Sequence, residues 1–197
     1  MTTTMKEATE TFSKFRALQR EADLISSDID IHRVFLVHGE DGQVSETSFA
    51  HDPHLALVKT AEQIQRGALN DIVRHARGII VEHGVRLHTA RPDIENPLAP
   101  EKVETESDLE ANYLTIEAVM TFGADTSGTW LRVSAVPGAS LPAGVEAPGQ
   151  EIEKITGDHP LAKPASVIET LALAIDVARR ILERGDELPN IDDLDLE

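Results

Sequence analysis

The chain has 197 residues, long enough to bury a real core in one domain, and its 41% hydrophobic and 27% charged residues are ordinary for a globular protein. It contains no cysteine, which excludes disulfides, thiolate zinc sites and a cysteine nucleophile. A formal net charge of −17 repels phosphate backbones and argues against direct binding of DNA or RNA.

Aromatic residues make up only 4% of the chain, so the core has to be built from Leu, Ile, Val and Ala. No apolar run approaches the roughly 18 residues of a membrane span. The segment Met1–Glu7 lacks the apolar centre of a signal peptide, so a cytoplasmic protein is expected, including one of viral origin. Three readings of the acidity stand side by side: solubility, a partner with a basic face, and a salt-rich habitat.

In chain order, residues 1–28 form an N-terminal helix, with Met5, Ala8, Phe12, Phe15, Leu18, Ala22 and Ile25 on one stripe. That stripe fits either the protein's own core or another subunit. Residues 29–185 read as one α+β domain. His32–His38 and Gln43–Phe49 are strands joined by an Asp41-Gly42 hairpin turn, and the weak apolar content of the second marks an edge strand. Asp52-Pro53 is an N-cap followed by proline at the first helical position. Apolar residues from Leu57 to Ala76 then recur at three-and-four spacing, which predicts a long central helix to about Ala76. Its alternative end is a Gly84 cap, against which the β-branched Ile79-Ile80-Val81 run argues.

Val85–Thr89 reads as a short strand, and residues 90–110, rich in proline and acid, as a loop without ordered structure. Tyr113–Val136 is a hairpin with one buried face, turning over Gly123–Gly128. Glu117, Asp125 and Arg132 on it are able to converge, and the solvent face there favours a surface ion pair over acid–base chemistry. Residues 137–149 and 157–164 are loops. Ser166-Val167-Ile168-Glu169 reads as a capping box for a last helix that ends at Gly185. The acidic tail 186–197 is expected to be disordered. A hairpin, loop and helix occur twice, over His32–Gly78 and Leu114–Gly185, which raises a duplicated ββα unit as an alternative.

The expected architecture is therefore a mainly antiparallel sheet of four or five strands from two hairpins. The long central helix and the C-terminal helix pack on it, with the N-terminal helix at one side. This order of elements, α-ββ-α-(β)ββ-α, resembles that of small acidic secretion-chaperone-like domains. The resemblance is one of element order with no shared motif, and it implies a dimeric binding protein.

Phosphate-binding glycine loops, the G-x-S-x-G elbow and the H-E-x-x-H helix do not occur, so no catalytic residue and no cofactor is assigned. The eight histidines are the remaining case for chemistry. His51, Asp52 and His54 open the central helix, and with His38 (or His32) they make a candidate metal set of imidazoles and a carboxylate. The leading expectation is a non-enzymatic protein-binding module, such as an adaptor, chaperone or assembly component, that self-associates and meets a protein partner with a basic surface. The alternatives are a metal-dependent enzyme using these histidines and an acidic mimic of nucleic acid that blocks a basic protein.

Overall fold

A computed structural model describes residues 3–26, 28–39, 41–136 and 151–188. Thr4 opens α1 (Met5–Glu21) with a capping box, its hydroxyl accepting from the Glu7 N–H while the Glu7 side chain returns to the Thr4 N–H. The hairpin β1 (His32–His38) and β2 (Gln43–Ala50) follows, with Asp41-Gly42 in its turn as expected. A bulge at Thr47 places Glu46 opposite Phe35 and Ser48 opposite Val34. Thr47 and Ser48 thereby both reach the Thr60 hydroxyl, at 2.9 and 2.8 Å.

The long central helix is corrected. Asp52 does cap α2 (Pro53–Gln65), accepting from the Leu55 N–H at 2.8 Å, but that helix stops at Gln65. Gly67 takes φ +73°, and the Gly67 and Ala68 N–H groups bond back to the carbonyls of Ile64 and Gln63. This is a Schellman end, which a glycine at that position adopts at little steric cost. The short α3 (Asn70–Val73) leads into β3 (Ala76–Ala90), where Ile79-Ile80-Val81 is fully buried at the centre of the sheet. The β-branched run thus overrides the helical spacing that preceded it.

Residues 90–110 also hold more structure than expected. A 3-10 turn (Pro100–Lys102) precedes α4 (Glu106–Asn112), which the Thr105–Asp108 capping box starts. β4 (Tyr113–Asp125) and β5 (Gly128–Ala135) form the second hairpin around a tighter turn than expected, and β6 (Glu153–Ile155) pairs with the start of β5. The last helix, α5 (Ala162–Glu183), begins before Ser166, because Pro164 sits in the first turn where no N–H is needed. Ser166 donates instead to the Lys163 carbonyl, and the helix closes on a second Schellman end at Gly185, φ +83°. Residues 137–150 and 189–197, which include all of the predicted loop 137–149 and most of the acidic tail, lie outside the described residues.

The sheet is antiparallel with order β2-β1-β3-β4-β5-β6, one or two strands more than expected. On one face α2, α3 and α5 bury Val34, Leu36, Ile79, Val81, Phe122 and Leu131. α5 meets them with Ala165, Ile168, Ala172, Ile175, Ala178 and Leu182, a seam in which alanines let the helix approach closely. On the other face α1 packs Met5, Ala8 and Phe12 against Phe35, Val37 and Ile80. Its Arg16 and Arg20 donate to the buried Glu82 of β3, at 2.8 to 3.0 Å. Past Glu82, among the described residues, β3 pairs only with β4, out to Ala90 opposite Tyr113. Arg86–Ala90 and Tyr113–Glu117 therefore project as a two-stranded ribbon. No helix among the described residues is long and apolar enough to cross a membrane.

Candidate functional site

Side chains alternate across a strand, so Val34 and His32 share the face of β1 on which Ile79, Val81 and His83 lie on β3. At the end of the sheet where α2 begins, this alternation brings two imidazoles into contact. His83 Nδ1 and His32 Nδ1 are 3.1 Å apart, and the His83 ring stands edge-on to Phe122 at 5.8 Å between centroids. One ring has to donate and the other accept, so the contact survives only while at least one Nδ1 is unprotonated.

Burial pushes His83 down to a pKa of about 4, with the charges of His32 and His54 acting in the same direction. His32 is also lowered, chiefly by burial, while Asp30 and Asp52 pull it back up. The periphery is polar. His51 Nδ1 lies 3.0 Å from the Asp30 carbonyl, and the Asp30 carboxylate meets Arg86 at 3.2 Å. This is a proton-sensitive contact between neutral imidazoles at the seam between β1, β3 and α2.

The sequence-predicted metal set is only partly gathered here. His51, Asp52 and His54 are at this end, but the Asp52 carboxylate is engaged as the N-cap of α2. His38 is at the opposite end of β1, about 20 Å away at 3.3 Å per residue, and its Nε2 contacts the Ser45 hydroxyl at 2.9 Å. Among the described residues no group of three or more His, Asp or Glu side chains is arranged to hold a metal ion. Glu117, Asp125 and Arg132 do not converge either. Glu117 faces Arg86 at 3.9 Å, Asp125 accepts from Ser127, and Arg132 is buried on the α1 face.

His83 was missed as a partner because the central helix, ending near Ala76 or at the alternative Gly84 cap, leaves it either beyond the helix or in its last turn, and neither puts it on a strand. The signal was Ile79-Ile80-Val81, which, taken as a strand, puts His83 in phase with Ile79 and Val81.

A second feature is the outer edge of β2, which has no strand beyond it among the described residues. On the α1 side it presents Val44 at 36% exposure and Phe49 at 60%, with the Arg33 guanidinium 5.8 Å over the Phe49 ring. Arg33 also holds Glu46 at 2.8 Å. Next to the edge, α2 exposes Leu55 and Val58. Comparison with protein-family models, with curated proteins and with solved structures finds no match to this chain.

Proposed function

We propose that the protein is a non-catalytic protein-binding module that self-associates by pairing the β2 edge of one copy with the β2 edge of another. The observation that carries this reading is the bulge at Thr47 on an open edge flanked by exposed apolar side chains. Residues five apart on a regular strand face opposite sides. The bulge turns Val44 and Phe49 to the same side, opposite Val37 and Arg33 of β1. In an antiparallel two-fold pairing centred on the bulge, Val44 of one copy then faces Phe49 of the other on the α1 side, and Ser45 faces Ser48 on the α2 side. Cross-strand pairs of this kind are the unit of sheet stabilisation. The Arg33–Glu46 ion pair neutralises the one carboxylate at the centre of the contact.

The net charge opposes contact between copies, so association tightens as salt screens it. Size-exclusion chromatography with light scattering tests the reading. The expected result is a dimer whose population rises with ionic strength, and its loss in Val44→Lys and Phe49→Lys with an unchanged circular dichroism spectrum. A strict monomer at high salt rejects it. The acidic surface further supports a partner with a basic face, which the same module would hold through charge.

A further inference from the structure

We infer that the cavity beneath the first turn of α1 is a binding site for a small organic anion, a carboxylate or phosphate carried on a flat apolar body. The cavity measures about 540 Å³, within the usual range of small-molecule sites, and its walls include Met5, Lys6, Arg77, Asp125 and Trp130.

The argument starts from charge. The chain has 35 carboxylates for 18 Lys and Arg, so a base has on average two acids to choose from. Ten of these bases enter none of the ion pairs among the described residues, and three of the ten, Lys6, Arg77 and Lys154, gather at this place. Lys6 and Arg77 line the cavity. Lys154 donates to the Ser127 carbonyl at 3.1 Å and holds its ammonium 5.6 Å from the Trp130 ring.

Arg77 reaches the site through a backbone irregularity. Gly78 lies opposite Val37 but Ala76 lies opposite His38, which leaves Arg77 as the extra residue of a bulge. The guanidinium extends towards α1, and its Nε is buried without a hydrogen-bond partner among the described residues. A buried, unpartnered donor on a charged group carries a desolvation penalty, which the charge of an anion beside the guanidinium offsets. The single carboxylate that lines the cavity among the described residues does not relieve it. Asp125 Oδ1 already accepts from the Ser127 N–H at 2.8 Å and the Ser127 hydroxyl at 2.6 Å, and no ion pair joins Asp125 to Arg77.

The apolar part of the class comes from the other walls. Met5 offers a polarisable thioether, and Trp130 an indole that is partly exposed and packs against the α1 cluster. A ligand with its anion on Arg77 and Lys6 and its ring over Met5 and Trp130 fits both halves of the lining.

Trp130 is the sole tryptophan of the chain, so its emission reports on this cavity alone. The test is a fluorescence titration of the full chain with benzoate, phenyl phosphate, inorganic phosphate and the neutral benzamide. The Trp130 indole N–H resonance, followed by NMR, serves as a second readout. The expected result is a saturable change with benzoate or phenyl phosphate, at least about tenfold tighter than with benzamide or inorganic phosphate. The stronger of the two aryl anions identifies carboxylate or phosphate as the preferred group. Arg77→Gln weakens that binding about tenfold or more, and Lys6→Gln weakens it about threefold. If Arg77→Gln proves misfolded by circular dichroism, the exposed Lys6→Gln and the benzamide comparison carry the decision. No saturable change with either aryl anion overturns the site. Equal binding of benzamide overturns the role of the cations, and equal binding of inorganic phosphate overturns the apolar half.

Discussion

The two faces of the one sheet are sealed by opposite chemistry. On the α2–α5 face Ile79, Val81, Phe122, Leu131, Ile168 and Ile175 are all but inaccessible, and every charged side chain stays outside the core. The α1 face of the same strands buries Glu82, Thr121 and Arg132, and α1 answers with Thr9, Ser13 and Arg16. Among the described residues, all the buried charged side chains are on this second face. An aliphatic face accepts many arrangements of similar volume. A face closed by one carboxylate between two guanidiniums accepts few, because a shifted helix leaves a buried charge unpaired. The sheet is thus held by α5 and located by α1.

The largest expected effect breaks the charged side of that comparison. Glu82→Ala strands Arg16 and Arg20 and is expected to cost about 4 kcal/mol in urea unfolding, as removal of one partner from a buried ion cluster does. Replacing all three together, with Arg16→Met, Arg20→Leu and Glu82→Met, should restore most of the loss, since the fold then no longer buries charge there. A triple variant as weak as Glu82→Ala would show that the ion cluster itself provides the stability.

On the aliphatic side, Ile175→Ala removes a side chain that is 1% exposed and is expected to cost about 3 kcal/mol by the same measurement. If it costs more than Glu82→Ala, the ranking of the two faces is reversed.

The third prediction uses acid. The pKa of His83 in the fold is about 4, below the ordinary 6.5 of the unfolded chain. Between those values the unfolded state binds more protons, so stability falls as pH drops from about 6.5 to about 4 and regains nothing below that. The loss attributable to His83 is about 3 kcal/mol. Urea midpoints measured across this window should fall less steeply in His83→Gln than in the parent chain.

The smallest effect is on the hydroxyl cluster that pins α2. Thr60→Val removes the one bond its hydroxyl donates, to Thr47 or Ser48, while those two hydroxyls keep the Val34 and Ala56 carbonyls, so the expected cost is about 1 kcal/mol.

Most elements with local signals were legible in the sequence. The first half of the α1 stripe, the Asp41-Gly42 hairpin, the weak β2 edge, the Asp52 cap and the Gly185 end all follow from residues within a turn of one another. The second half of that stripe is corrected: Phe15 and Leu18 are 57% and 62% exposed, and Thr9, Ser13 and Arg16 face the sheet instead. The central helix was misjudged because Gly67 lies inside a continuous three-and-four pattern. Periodicity alone cannot tell a helix that turns at Gly67 into buried β3 from one that runs on. The capping box at Ser166 failed for a related reason, since Leu161–Pro164 start the helix without a side-chain cap.

The contact between His32 and His83 joins residues 51 positions apart, and only the β1–β3 register brings them together. Similarly, Arg77 enters the α1 cavity by way of a bulge that no local pattern announces.

The ribbon of β3 and β4 has a consequence for how the molecule is met from a distance. It acts as a boom, carrying the connection 91–112 about 17 Å past the last row that β5 supports, at 3.3 Å per residue. That connection holds seven carboxylates against two bases. Screening at physiological ionic strength acts over about 8 Å, so the boom and the body present themselves to an approaching cation as two separate sources of field. A molecule with a basic patch would feel the boom as well as the body before any surface touches, and added salt would remove that attraction while leaving short-range packing intact.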